Sequence, residues 1–120
     1  MVKQLGHPFG AWINIEIRRL MLRLIILRRI GEKRTYPYDI LKGLSATPMH
    51  KMFPNSARFK NTVYNTISSL HREGYINSHR STSGKVTKIY FTLTPKGKNT
   101  LVQAKRTFKS AMVQMAKILR

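Results

Sequence analysis

The chain has 120 residues, 23 of them Lys or Arg against 4 Asp or Glu, for a formal net charge of +19. That length suits one domain, and 42% apolar residues suffice for a packed core while being too many for a basic disordered tail. The absence of cysteine excludes a disulfide framework, a thiolate metal site and a Cys nucleophile, and the widely spaced acids (Glu16, Glu32, Asp39 and Glu73) leave little for carboxylate catalysis or Mg²⁺ binding.

So much charge of one sign opposes compaction, which points to a polyanionic partner, nucleic acid first and an anionic membrane surface second. The densest apolar stretch, Leu20 to Leu27, is interrupted by Arg23 and bracketed by Arg18, Arg19, Arg28 and Arg29. It falls well short of the roughly 20 apolar residues a spanning helix needs, and no small-residue cleavage site follows it. A soluble, cytoplasmic protein is expected.

Helical periodicity runs from about Trp12 to Ile30. Ile13, Ile17, Leu20, Leu24 and Leu27 line one face, and Ile15, Leu22, Ile26 and Ile30 form a second stripe. A helix with two apolar faces is sandwiched, and the second face is free to meet a partner subunit. Gly31 reads as the C-cap. A short helix follows over Tyr36 to Leu44, with Pro37 in its first turn. Pro48 and Pro54-Asn55-Ser56 break the next stretch, leaving room for a helical turn around Met49 to Phe53. A third helix is predicted from Asn61 to Glu73, with Val63, Ile67 and Leu70 on one face and Gly74 as its stop.

Beyond Gly74 the apolar period changes from 3.6 to 2. Tyr75 to His79 and Val86 to Leu93 read as strands, with Ser81-Thr82-Ser83-Gly84 as the hairpin tip. Thr94-Pro95 opens a last helix, Thr94 as N-cap and Pro95 at the first helical position. Along it Leu101, Ala104, Phe108, Ala111, Met115 and Ile118 recur at 3–4 spacing, the pattern of a helix packed on another helix. The order helix, helix, helix, hairpin, helix is that of a winged helix-turn-helix with a C-terminal helix; an unrelated small α+β domain would share the same string.

Three stretches resemble the PadR-type winged-helix transcriptional regulators. They are Tyr36-Pro37-Tyr38-Asp39-Ile40-Leu41; Thr62-Val63-Tyr64 with Leu70 and Glu73-Gly74-Tyr75-Ile76; and Lys88-Ile89-Tyr90-Phe91-Thr92-Leu93-Thr94 with Gly97. Where that family often has Ser-Pro-Gly before its recognition-helix motif, this chain has Phe59-Lys60-Asn61. The resemblance implies that the third helix enters the major groove and that the hairpin tip lies over the backbone or minor groove. Residue types agree with it. Arg58 and Lys60 suit phosphates or guanine edges, Asn61 and Asn65 suit adenine, Thr62 and Tyr64 suit phosphate, and Ser68 lies further along. At the wing, Arg80, Ser83, Lys85 and Lys88 flank a small tip. The competing reading makes Asn61 and Thr62 helix caps and Tyr64 a core residue.

By the same resemblance, relatives of this type pair through their first and last helices, so Leu101, Phe108, Met112, Met115, Ile118 and Leu119 are the expected dimerisation residues. Some relatives bind aromatic effectors, and Phe9, Trp12 and Phe108 would line such a cavity, although core packing is the simpler account and no effector is indicated. The histidines (His7, His50, His71 and His79) show no ligand spacing, and no Gly-rich phosphate loop or triad is present. No metal, no cofactor and no enzyme activity are therefore expected.

The sequence predicts a mainly α protein with a small β-hairpin, a winged helix-turn-helix with N- and C-terminal dimerisation helices. It forms a single domain over residues 1–120, with a core from about 12 to 94 and a dimerisation helix from about 95 to 120. The partner is double-stranded DNA and the chain itself, either as a regulator or as a nucleoid-associated architectural protein with little sequence preference. Single-strand RNA binding is disfavoured by the few aromatics available for stacking. A membrane-surface role is disfavoured because the basic residues are not expected to segregate onto one face of an amphipathic helix.

Overall fold

The computed structural model describes residues 2–119, with side chains from Ile15 onward. In chain order it contains α1 (Val2–Glu32), α2 (Pro37–Ser45), a 3₁₀ helix (Pro48–Met52), α3 (Ser56–Arg72), β1 (Ile76–Ser83), β2 (Val86–Leu93) and α4 (Pro95–Ile118). The two strands form one antiparallel pair. The α2–α3 unit followed by the hairpin is a winged helix-turn-helix. The side chains of Phe9, Trp12 and Ile13, and Arg120, lie outside the described residues.

Helices α1, α2 and α3 each contribute one stripe to a common core. Leu22, Ile26 and Ile30 of α1 recur at helical spacing and are buried with Leu27; Ile40 and Leu44 of α2, and Phe59, Val63, Ile67 and Leu70 of α3, close over them. Ile76 and Phe91 bring the base of the hairpin into the same cluster. Each such side chain stabilises the fold by about 1.5–3 kcal/mol when fully buried. Thr35 ties the hairpin down: its carbonyl accepts from Phe91 N–H at 2.9 Å, while its hydroxyl donates to the Lys33 carbonyl at 2.6 Å.

On α1 the stripe that the sequence reading left free for a partner supplies most of the core, joined from the other stripe by Leu27. The stripe containing Leu22, Ile26 and Ile30 faces the core, whereas Ile17 and Leu20 of the other stripe are 44% and 45% exposed. Core contact begins only near Leu22, so Ile15 is exposed too. Periodicity shows that a face is apolar and not which neighbour covers it. The helix also begins well before Trp12 and runs past Gly31 to Glu32. Gly31 is therefore no C-cap; its lack of a side chain lets Leu93 approach, since a Cβ there would lie 2.9 Å from Leu93 Cδ1.

Helix α3 starts at Ser56 rather than at Asn61. Asn55 is its N-cap, its side-chain oxygen accepting from Arg58 N–H at 2.8 Å. Phe59-Lys60-Asn61 contains no Pro or Gly, so nothing interrupts the helix between that cap and the Val63 turn. Gly74 ends α3 region with φ +84°, a left-handed conformation that favours glycine.

The hairpin is longer and its tip later than the sequence suggested. β1 includes Ser81, Thr82 and Ser83, and the strands are joined by Gly84-Lys85 alone, Ser83 pairing with Val86. Gly84 has φ +60° while Lys85 is not among the residues of positive φ, the signature of a type II′ turn. Tyr75 lies just outside β1, where it accepts from Thr94 N–H at 3.1 Å.

Helix α4 begins as expected, the Thr94 hydroxyl accepting from Gly97 N–H at 3.0 Å and donating to the Gly74 carbonyl at 2.7 Å. Its apolar seam, however, rests on no other helix of this chain beyond the first turns. Leu101 packs partly against the core, while Phe108 is 42% exposed and Ile118 73% exposed. The longest extent of the molecule is accordingly 60 Å against 31 and 24 Å for the others.

Candidate nucleic-acid interface

The core stripe of α3 determines what its opposite face presents. Phe59, Val63, Ile67 and Leu70 point inward, which at 3.6 residues per turn leaves Arg58, Asn61, Asn65, Ser68 and Arg72 along the outer side. All of these outer residues are exposed. Asn61 lies in the second turn and caps nothing. Thr62 does not cap either: its hydroxyl donates to the Arg58 carbonyl at 2.8 Å, and Thr66 repeats this bond to the Thr62 carbonyl at 2.7 Å. Both threonines thus have committed donors on the α1 side of α3. Lys60 and Tyr64 point to the other side, toward α2 and the wing, where Tyr64 is half-buried against the core.

That second flank is aromatic. Tyr36, Tyr38 and Tyr64 line a depression of about 540 Å³ with Thr87, Lys88 and Ile89 of β2. Lys88 Nζ stands 5.7 Å from the Tyr36 ring centre, and the Arg34 guanidinium stands 4.2 Å from that of Tyr90. Tyr90 stacks on His79 at 5.0 Å, and His79 Nε2 shares a 2.7 Å hydrogen bond with the Thr92 hydroxyl. Directly paired residues of a hairpin project to the same side. Arg80, opposite Ile89, therefore lies on the face that carries Phe91, while Ser83 and Lys88 lie on the other. Lys85 occupies the exposed tip.

On the remaining flank α1 runs beside α3. Arg19 and Arg23 border a polar groove of about 460 Å³ with Asn65, Thr66, Ser69 and Arg72. Arg23 pairs with Glu73 at 3.0 Å, and Arg28 with Glu32 at 3.3 Å. With 4 acids against 23 Lys and Arg in the chain, most of the cationic charge is uncompensated. Sequence reading missed Arg72 and Arg19 as neighbours of the recognition face. Arg72 was detectable, since it continues the 58–61–65–68 spacing by one further step; the position of Arg19 depends on how α1 crosses α3.

The family model "Transcriptional regulator PadR-like family" matches residues 26–103, from the core stretch of α1 to the first turns of α4. The chain belongs to the PadR-like family of transcriptional regulators. Solved structures agree on the fold. A PadR family transcriptional regulator from Eggerthella lenta DSM 2243 superposes with TM-score 0.72 at 20% identity, covering 98% of this chain and 97% of that one. A PadR-like transcriptional regulator from Bacillus cereus gives TM-score 0.68 at 18% identity over 88% of this chain and 97% of that one. Bacillus subtilis PadR, solved in complex with operator DNA, gives TM-score 0.56 at 23% identity, covering 69% of this chain and 46% of the longer one. No curated protein sequence matches the chain significantly.

The PadR-like chain is thus a member of a family of regulators rather than of enzymes. Among its described residues no cluster of His, Asp or Glu is arranged to hold a metal ion, and no helix is long and apolar enough to cross a membrane. Its basic residues do segregate on one helix, contrary to expectation. On α4, Lys98, Lys105 and Lys109 line up beside the apolar seam, because their spacing is close to whole helical turns, and Arg106 lies about 80° further round. Phe108 is exposed on α4 and not packed in the core as the simpler account expected, and the side chains of Phe9 and Trp12 lie outside the described residues.

Proposed function

We propose that this PadR-like chain is a homodimeric transcriptional regulator of double-stranded DNA, acting in the cytoplasm on the nucleoid, with a large sequence-independent electrostatic component. The observation that carries this reading is the exposed stripe Arg58–Asn61–Asn65–Ser68–Arg72, held rigidly opposite a fully apolar stripe on the same helix. In the major groove, Asn61 and Asn65 suit adenine edges and Arg58 suits guanine or phosphate. Lys60, Thr62 and Tyr64 flank that stripe toward the backbones, and Arg80, Ser83, Lys85 and Lys88 would fix register from the wing. That Bacillus subtilis PadR was solved on operator DNA supports the choice of partner.

Dimerisation is supported by the apolar surface left open on two helices. Phe108, Met112, Met115, Ile118 and Leu119 of α4 are exposed, as are Ile17 and Leu20 of α1. A two-fold dimer would cover both and present two copies of α3 to successive major grooves, about 34–36 Å apart. Leu101, already spent partly on its own core, contributes at the edge of that interface.

The uncompensated charge favours a second reading, an architectural nucleoid protein that holds phosphates with little preference for sequence. Selection of duplexes from a random pool separates the two. Affinity for the selected duplex and for random DNA is then compared at about 0.15 M salt. A regulator gives a palindromic winner bound at least about 10³-fold more tightly than random DNA, whereas a ratio near one sinks the regulator and leaves the architectural role.

A further inference from the structure

Helix α4 carries a second cationic surface that the recognition of one duplex does not use. From Pro95 to Ile118 it contains no acidic residue. At 100° per residue Lys98, Lys105, Lys109, Arg106 and Lys117 fall within an arc of about 120°, adjoining the seam of Phe108, Met112 and Met115. All five cations are exposed, and none is in an ion pair. Lys105 and Lys109 are an i,i+4 pair of like charge, which weakens a helix by roughly 0.2–0.5 kcal/mol where a Glu–Lys pair would strengthen it. A helix serving dimerisation alone gains nothing from such a pattern.

The location separates this surface from α3. Lys98 and Lys105 meet Arg28 of α1, which pairs with Glu32 at 3.3 Å, around a hollow of about 430 Å³ between α1 and α4. Arg19, which borders the α3 groove, precedes Arg28 by nine positions and so lies about 180° around α1. A helix with its side chains is about 10–12 Å thick, so the two basic surfaces look away from each other across α1.

We propose that the α4 arc with Arg28 binds the phosphates of a second DNA duplex, so that the protein bridges two duplexes. This rests on the duplex-binding reading of α3. A lipid surface is the poorer occupant because, beyond Lys96 in the first turn, the cations flank the apolar seam on one side only; Ser110, Gln103, Gln114 and Thr107 occupy the other. In a two-fold dimer that buries the seam, the two arcs would border the α4 pair and form one extended anionic-ligand surface.

The test uses the full chain, a bead-bound random duplex, and a free labelled duplex of the same sequence. Wild type is compared with Lys105→Gln/Arg106→Gln/Lys109→Gln and with the charge-conserving Lys105→Arg/Lys109→Arg. Glutamine is a good helix former, so matching circular dichroism and melting temperature are expected for all three. The wild type and the arginine variant should recruit the labelled duplex. The glutamine variant should recruit at least tenfold less, while its affinity for the first duplex falls less than about threefold. Recruitment by the glutamine variant at the wild-type level, or a parallel loss of both activities, overturns the second surface. So does a wild type that binds one duplex and never recruits another, including one whose α4 binds anionic vesicles instead. A wild type that binds no duplex at all refutes the α3 reading as well, so the two failures are distinct.

Discussion

At the scale of single residues, the junction between α3, the wing and α4 is the most tightly specified part of the molecule. Gly74 supplies the left-handed turn, Thr94 bonds both Gly74 and Gly97, and Lys96 Nζ donates to the Glu73 carbonyl at 2.8 Å while standing 4.5 Å from the Tyr75 ring centre. Gly97 is fixed by lack of room: a Cβ at that position would collide with the Tyr75 carbonyl oxygen, a backbone atom that cannot swing aside. Gly97→Ala should therefore destabilise the protein by about 1–3 kcal/mol, the usual cost of overpacking. Thermal unfolding would register this as a drop of several degrees, and an unchanged midpoint would mean that α4 does not approach Tyr75 so closely. The sequence announced the Thr94-Pro95 start and the Gly74 stop, because caps and left-handed turns demand particular residue types. It did not announce why Gly97 is glycine, since the atom it makes room for belongs to a residue more than twenty positions earlier.

At the scale of elements, the same contrast separates what local chemistry decides from what neighbours decide. The N-cap at Thr94 and the buried stripe of α3 follow from spacing alone, and both were legible. The start of α3 was misplaced because Asn61 resembles a cap, whereas Asn55, next to Pro54, performs that task six residues earlier. The inward face of α1 was misassigned because both its stripes are apolar and only the packing of α2 and α3 chooses between them. The hairpin tip was misplaced for a different reason: Ser and Thr read as turn residues, yet the Thr82–Thr87 hydroxyl pair at 3.3 Å extends the ladder to Gly84-Lys85.

Helix α4 is the element whose apolar seam, among the described residues, is left most exposed. The sequence reads that seam as helix packing, and the exposed Phe108, Met112 and Met115 support the proposed pairing with a second copy. A charge placed in such a seam is costly only if the seam becomes buried. Phe108→Asp/Met112→Asp should convert the dimer to a monomer by sedimentation at micromolar concentration while leaving the α1–α3 core folded. A wild type that is already monomeric at moderate salt would contradict the interface.

At the scale of the whole molecule, the charge of +19 organises the account. Four acids cannot neutralise 23 Lys and Arg side chains, so the cations in excess repel one another in the free protein and are expected to be relieved on a polyanion. Composition points to a polyanionic partner and says little about how that partner is held. Charge counts report phosphates, whereas discrimination among sequences depends on the few uncharged donors and acceptors aimed at base edges. In the proposed reading those are Asn61 and Asn65, one helical turn apart and directed outward from α3 by the packing of Val63 and Ile67 beneath them.

The central claim is therefore that α3 reads bases, and Asn65→Ala tests it most directly. Its affinity is measured beside the wild type on the selected duplex and on random DNA at one salt concentration. Loss of a bidentate contact predicts a cost of about 1–3 kcal/mol, roughly 5- to 150-fold, on the selected duplex and almost none on random DNA. Equal affinity of variant and wild type on both duplexes, or an equal loss on both, would contradict the claim that this face of α3 reads sequence.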